Sequence, residues 1–318
     1  MSRMLVTGAN GFVGRAACDL LVAEGHQVTG LVRRTEGCIA GVDKWIDASR
    51  DFSDVERTWP ASFVPDCVVH LAARVHVMDA GARNADEAFR ETNVDGTLRI
   101  AQAAARRGAG RFVFVSSIKA VAESDAGHAV TEVDPPAPHD AYGRSKLAAE
   151  QALMRYGAES GMEIVIVRPP LVYGPGVRAN FLRLMDAVWK GVPLPLASID
   201  ARRSLVYVGN LADALLHCAT DPRAARQCFH VCDGDDPTVA GLVRSLAMHL
   251  QRPARLWPVP PTWLRAAGKL TGRTTQIERL VGSLRVDGSR IERALDWRPP
   301  FSIQDGLAAT ARWYRSTH

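Results

Sequence analysis

The stretch Thr7-Gly8-Ala9-Asn10-Gly11-Phe12-Val13-Gly14 follows the short apolar run Met4-Leu5-Val6 and spaces its glycines at 8, 11 and 14. At a strand-to-helix turn, three missing Cβ atoms permit a tight bend and let a pyrophosphate approach the backbone N–H groups that open the helix. A glycine triplet alone is a weak signal. Here it comes directly after an apolar run and opens the apolar-periodic segment 13–23, which is the context the motif requires. That restricts the N-terminal part to βαβ architecture.

The rest of the chain agrees. Apolar, β-branched runs at 4–7, 27–32, around Trp45-Ile46, 67–72, 111–116 and 163–168 alternate with helical patterns at 13–23, 84–107 and about 142–158. Strands separated by helical spacers build a parallel sheet covered on both faces. The expected fold class is α/β, a Rossmann-like doubly wound parallel sheet. Beyond Arg168 the texture changes, with proline pairs at 169/170, 260/261 and 299/300 and a Gly174-Pro175-Gly176 turn. Such punctuation predicts a smaller C-terminal lobe assembled from discontinuous pieces, to which the family likeness given below assigns substrate binding. Residues 1–170 are assigned to dinucleotide binding, with a returning segment near 205–230 that includes a strand at Tyr207-Val208. Residues 171–318 form mainly the lobe.

Several function classes drop out on composition. The formal charge is +5, but Arg33, Arg34, Arg74, Arg168, Arg202, Arg203 and Arg279 are spread along the chain and form no basic tail or stripe. A small polyanion accounts for the surplus, and no nucleic-acid partner is expected. The N-terminus enters an apolar run with no leader pattern, and no later run reaches membrane-spanning length. The expectation is therefore a cytoplasmic protein without a membrane partner. Six scattered cysteines with no CxxC pair read as reduced thiols. In Cys228-Phe229-His230-Val231-Cys232, strand alternation puts both sulfurs and the imidazole on one face. Three groups fall one short of a zinc tetrahedron, so a packed strand is preferred and no metal is assigned.

The second strand ends Gly30-Leu31-Val32-Arg33-Arg34. An acidic residue there would take the ribose 2′-OH of NAD(H), whereas arginine matches a 2′-phosphate. Arg33 thus favours NADP(H), with NAD(H) as the alternative, against a pair of solvated surface arginines.

Tyr142 and Lys146 lie four apart at the start of a helical pattern and share a face. Taken alone they are an ordinary exposed pair. In order with the glycine loop, a serine ending the run 111–116, Asp66-Cys67-Val68-Val69-His70-Leu71-Ala72-Ala73, Asn93-Val94-Asp95-Gly96-Thr97 and Arg168-Pro169-Pro170-Leu171-Val172-Tyr173-Gly174-Pro175, they carry a family likeness. Over nearly its whole length the chain resembles the extended short-chain dehydrogenase/reductase family, in its NAD(P)-dependent nucleotide-sugar epimerase/dehydratase branch. Its pattern is most similar to bacterial UDP-4-keto-6-deoxy-N-acetylhexosamine 4-reductases.

The resemblance implies roles. Tyr142 exchanges a proton with the substrate oxygen, Ser117 hydrogen-bonds that oxygen, and Lys146 holds the nicotinamide ribose. A phenol near its usual pKa of about 10 is a poor proton carrier at neutral pH, and each unit of depression by neighbouring positive charge is worth about 1.4 kcal/mol. Gly8, Asn10, Gly11, Phe12, Val13, Gly14, Arg33, Asp47, Leu71, Ala72, Ala73 and Asn93 form the implied cofactor set, with Tyr142 and Lys146. The register at Ser116-Ser117 stays open by one residue, because Val121 stands where a tyrosine commonly follows. Dehydratases of this branch place an acidic pair after the serine. Ile118 and Lys119 hold those positions here and cannot move protons at C5 and C6, which disfavours dehydration. Leu171 replaces a common asparagine.

For the substrate, the likeness places Asn180, Arg203 and Arg279 on a nucleotide diphosphate, Arg279 competing with a plain helix-face role, and Arg74 and His76 near the sugar. Relatives dimerise through the helix carrying Tyr142 and the one near 84–107, so a homodimer is expected. The implied reaction is NADPH-dependent reduction of the C4 ketone of a UDP-4-keto-6-deoxy-N-acetylhexosamine, for surface-polysaccharide sugars such as those of lipopolysaccharide. An NAD-dependent UDP-hexose or UDP-N-acetylhexosamine 4-epimerase is the rival.

Overall fold

The computed structural model describes residues 1–49, 51–75, 82–272 and 274–318. In chain order the first half runs β1 (Arg3–Thr7), α1 (Phe12–Ala23), β2 (Gln27–Val32), β3 (Val42–Ile46), α2 (Val55–Thr58), β4 (Cys67–His70), α3 (Ala82–Arg90), α4 (Gly96–Arg106), β5 (Arg111–Val115), α5 (Ala141–Ser160) and β6 (Glu163–Arg168). The second half runs β7 (Leu171–Tyr173), α6 (Ala179–Trp189), β8 (Leu205–Tyr207), α7 (Val208–Thr220), β9 (Cys228–His230), α8 (Val239–Leu250), α9 (Pro261–Leu270), α10 (Thr274–Val281), α11 (Ser289–Leu295) and α12 (Ile303–Thr317).

Seven parallel strands form one sheet in the order β3-β2-β1-β4-β5-β6-β9. The order reverses direction between β1 and β4, and in a doubly wound sheet that switch point opens a crevice at the strand C-termini. Alternation explains why the strands read as unbroken apolar runs. Met4, Val6, Val69, Val113 and Val165 face one core, shared with α1 and α7 through Leu21, Leu211 and Leu215. Leu5, Val68, Phe112, Phe114 and Ile164 face the other, shared with α4 and α5 through Ile100 and Leu153. Burying each such side chain contributes about 1.5–3 kcal/mol. A third core, with Tyr173, Phe181, Met185, Leu205, Leu246, Leu307 and Tyr314, fills the C-terminal part.

The structure departs from the sequence expectation in four places. The single helix expected near 84–107 is α3 and α4 joined through a π-turn at Glu91–Asp95. β4 stops at His70 and not at residue 72, because Thr7 Oγ1 takes the Leu71 and Ala72 N–H groups, each at 3.2 Å. The strand expected to return at Tyr207 pairs instead with β7 in a separate two-stranded sheet. There the Asp233 carboxylate takes the Tyr207 N–H at 2.9 Å. The returning strand is β9. Finally, the 228–232 alternation breaks after His230. Cys228 packs in the second core, whereas Cys232 sits against the Val286 carbonyl. Among the described residues no cluster of three or more His, Cys, Asp or Glu side chains has metal-binding geometry.

Candidate active site

The glycine turn closes over the C-terminal end of β1. Gly8 has φ +69°, and a Cβ there would lie 3.1 Å from the Ala72 backbone. A Cβ on Gly14 would lie 2.1 Å from the Gly8 carbonyl oxygen, so the third glycine lets α1 start flush against the turn. Gly11 caps α1 without a side-chain bond, which leaves the N–H groups of Phe12, Val13 and Gly14 without intrahelical acceptors. These are the groups an anion uses. Their side chains lie elsewhere: Phe12 packs on the third core and Val13 on the first. The Asn10 amide donates to the Arg34 and Glu36 carbonyls at 2.9 and 3.1 Å, tying the turn to the loop after β2.

A cavity of about 600 Å³ follows this edge, lined by Gly8, Asn10, Gly11, Leu31–Arg33, Phe52, Leu71–Val75 and Thr92. Arg33 reaches it with no hydrogen-bond or carboxylate partner among the described residues. Asp47, just past β3, is 1% exposed; its Oδ1 accepts from Ser49, and its Oδ2 is buried without a partner. A cradle that any Cβ would fill, together with an orphaned carboxylate oxygen, fits a bound dinucleotide.

Two contacts bring the start of α5, with Tyr142 and Lys146, against the end of β5 and the Ser117 turn. Lys146 Nζ donates to the Val115 carbonyl at 2.7 Å and lies 4.4 Å from the Phe114 ring centroid, which fixes α5 to the end of β5. One turn earlier, a Cβ on Gly143 would lie 2.3 Å from the Lys119 carbonyl oxygen, so α5 begins directly on the 3₁₀ turn Ile118–Ala120 that follows Ser117. Tyr142 lies between these anchors, and Lys146 Nζ is 6.0 Å from its ring centroid. Ser117 Oγ accepts from Lys119 N at 3.2 Å and keeps its own hydrogen to donate. Ser116 is 3% exposed with an unpartnered Oγ, and its N–H bonds the Val167 carbonyl. Burial pushes the Tyr142 phenol well above its usual range, and the Asp140 carboxylate adds to the rise. Burial brings the Lys146 ammonium down to about 7, against the opposing pull of Glu150.

Behind the cavity runs a buried relay. Thr7 Oγ1 meets His70 Nδ1 at 2.9 Å, His70 Nε2 meets Thr97 Oγ1 at 3.1 Å, and Thr97 Oγ1 donates to the Asn93 carbonyl at 2.8 Å. Because Thr7 Oγ1 already accepts two N–H groups, its hydrogen goes to Nδ1, and the imidazole carries its proton on Nε2. Burial holds His70 down at about 3, so it is neutral. The π-turn delivers Asn93, whose amide donates to the Arg74 carbonyl and to Ser145 Oγ and accepts from Arg74 N. Expected on the cofactor, Asn93 instead has its amide committed to joining the β4 loop to α5.

In the C-terminal part, Arg203 is half-buried, has no polar partner for its guanidinium among the described residues, and is pulled below its ordinary range by desolvation. That suits an arriving anion. Arg279 is held elsewhere, by Glu123 at 2.7 Å and Asp140 at 3.4 Å. Lys119 joins the same cluster, bonded to Asp140 at 2.6 Å and Glu123 at 3.1 Å. Asn180 is exposed in the first turn of α6, after Ala179 at φ +55°. Arg74 lines the cavity and its guanidinium donates to the Ala88 carbonyl. His76 lies outside the described residues.

Sequence reasoning missed Phe52, Thr92, Asp140 and the relay. Asp140 was the one with a signal, standing as N-cap three residues before Gly143 and accepting its N–H. Phe52, at φ +58° and edge-on to His70, left no mark in the local pattern.

Residues 4–232 match the family described as NAD dependent epimerase/dehydratase. The chain belongs to that family. A UDP-glucose 4-epimerase of Vibrio cholerae is 40% identical over 97% of this chain and 94% of its own. The GDP-6-deoxy-D-mannose reductase of Pseudomonas aeruginosa is 27% identical over 96% and 95%. Among solved structures, the Thermus thermophilus UDP-glucose 4-epimerase in complex with NAD superposes with a TM-score of 0.78 at 25% identity, covering 99% of this chain and all of that one. This family member is therefore an enzyme that uses a nicotinamide cofactor. The reactions of its relatives span epimerisation and reduction.

Proposed function

We propose that the enzyme reduces the C4 ketone of a UDP-4-keto-6-deoxy-N-acetylhexosamine with NADPH. The observation that carries this reading is Arg33, a guanidinium lining the cavity with no carboxylate partner among the described residues, at the position where an acidic residue would select NAD. A stoichiometric reductase draws on NADPH, whereas a 4-epimerase recycles one retained NAD. In this reading residues 1–170 hold the dinucleotide and 171–318 mainly the sugar nucleotide.

The N–H groups opening α1 would hold the cofactor's pyrophosphate, Arg33 a 2′-phosphate and Lys146 the nicotinamide ribose, with Asp47 in the same set, and the group when bound would supply the hydride. The remaining work belongs to the chain. Ser117 donates to the ketone oxygen and orients it. Tyr142, kept protonated by burial and by Asp140, gives its proton as that oxygen becomes an alkoxide. A neutral phenol is the form reduction requires. Arg203 holds the diphosphate. Lys119, engaged with Glu123 and Asp140, offers no base for C5, which sets dehydration aside.

The relative from Vibrio cholerae favours a second reading, 4-epimerisation of a UDP-hexose. Dissociation constants separate the two. The proposal expects NADPH to bind the purified protein more tightly than NADH, and equal or tighter binding of NADH would overturn it.

A further inference from the structure

One turn beyond Lys146, on the same face of α5, stands a buried carboxylate that the proposed reaction does not use. Glu150 is 4% exposed, Lys146 2% and Arg168 8%. Arg168, the last residue of β6, takes both oxygens of Glu150, its Nε donating to Oε1 at 3.0 Å and its Nη2 to Oε2 at 2.5 Å. A guanidinium that the sequence shows only as one of many scattered cations is thus engaged inside the protein. This face of α5 is fixed to the sheet twice, by Lys146 at the end of β5 and by Glu150 at the end of β6.

Two opposite charges buried one turn apart are expected to close into an ion pair, since neither is tolerated in an apolar interior without a partner. Here they do not. Lys146 Nζ bonds the Val115 carbonyl, and Arg168 occupies both carboxylate oxygens. The ammonium therefore keeps its other N–H groups for the site while it stays in the field of the carboxylate. The remaining groups that face Lys146 bring no negative charge: the Tyr142 phenol on α5, the Phe114 ring and Val115 carbonyl on β5, and the neutral His70 imidazole on β4. Around the ion pair stand Cys228 and His230 of β9 and Glu132, which accepts the His230 N–H at 2.8 Å, with Arg290 of α11 beyond them. Burial works against the charge on Lys146, and Glu150 opposes it.

We propose that Glu150 is the positioning residue for Lys146, its carboxylate keeping the lysine an ammonium while Arg168 keeps that carboxylate from capturing it. The lysine can then offer a charged nitrogen to the nicotinamide ribose. The inference rests on Lys146 serving that ribose, and it holds whether the hydride is consumed or returned.

The test is a pH titration of the full chain labelled with carbon-13 at the lysine Cε, followed by NMR. The chain has five lysines, and Lys146→Met assigns the resonance. Wild-type Lys146 is expected to titrate at about 7. Glu150→Gln should bring the midpoint down by at least about one pH unit. Because that variant leaves Arg168 buried without a counter-charge, Glu150→Gln combined with Arg168→Met is measured beside it, and the same fall is expected. Arg168→Met alone frees the carboxylate to pair with Lys146, so the midpoint should rise by about one pH unit or more, and binding of the nicotinamide cofactor should weaken about tenfold by calorimetry. A midpoint that stays at the wild-type value in the variants lacking the carboxylate, or in Arg168→Met, would overturn the proposal and leave the pair as a brace between α5 and β6 whose loss lowers stability alone. No substrate enters these titrations, so they stand or fall apart from the reduction of a C4 ketone.

Discussion

In the proposed reaction Tyr142 carries the proton transfer and Arg33 the choice of cofactor. Burial and the Asp140 carboxylate raise the phenol, opposite to the depression expected from neighbouring positive charge, so Tyr142 stays protonated and enters the proposed reduction as the acid. Tyr142→Phe is expected to lower turnover by about 10²–10⁴-fold in steady-state assays while NADPH still titrates the protein with unchanged affinity. Loss of both together would make the residue a fold or binding element. Arg33→Ala removes a charge-assisted contact worth about 1.5–3 kcal/mol, so NADPH affinity should fall ten- to a hundredfold or so by calorimetry with NADH affinity unaltered. A parallel loss for both cofactors would mean that the guanidinium sees only the shared diphosphate.

The elements of the site were legible to the extent that they are local. The glycine turn, the strand ends and the Tyr142/Lys146 spacing are fixed by backbone sterics and helix periodicity, so their positions follow from the sequence within a residue or two. The relay Thr7–His70–Thr97–Asn93 was not legible, because its members come from β1, β4, α4 and the turn before α4 and meet only once the sheet forms. Arg279 illustrates the same limit: nothing in α10 foretells that Glu123 and Asp140 hold its guanidinium. Two expectations follow at this scale. Gly143→Ala puts a methyl into the Lys119 carbonyl and should destabilise the protein by about 1–3 kcal/mol in urea denaturation, with turnover reduced as the Ser117 turn shifts. His70 and His230 are held down by burial at about 3 and 4, against 6.5 for free imidazole. The unfolded chain therefore binds more protons below 6.5, and stability falls as pH drops through that window, by up to about 1.4 kcal/mol per unit for each histidine. His70→Gln should lower the slope of stability against pH by one proton; an unchanged slope would show that the buried imidazole does not stay neutral.

Across the molecule, a seven-stranded sheet with its switch point between β1 and β4 sets the glycine turn, the Arg33 edge and the start of α5 at its strand C-termini, while Arg203, half-buried and without a polar partner for its guanidinium among the described residues, lies two residues before β8. The doubly wound plan was readable because strand and helix periods alternate; the pairing of Leu205–Tyr207 with β7 was not, since a three-residue strand carries no mark of its partner. This family's fold serves both a hydride that is consumed and one that is returned, so architecture alone leaves the reaction to its polar residues. The most direct measurement is to incubate the purified enzyme with NADPH and a UDP-4-keto-6-deoxy-N-acetylhexosamine, following NADPH absorbance and the sugar by NMR. One NADPH consumed for each C4 alcohol formed is the expected result. An untouched ketone, together with interconversion of UDP-hexose C4 epimers without net cofactor use, would contradict it.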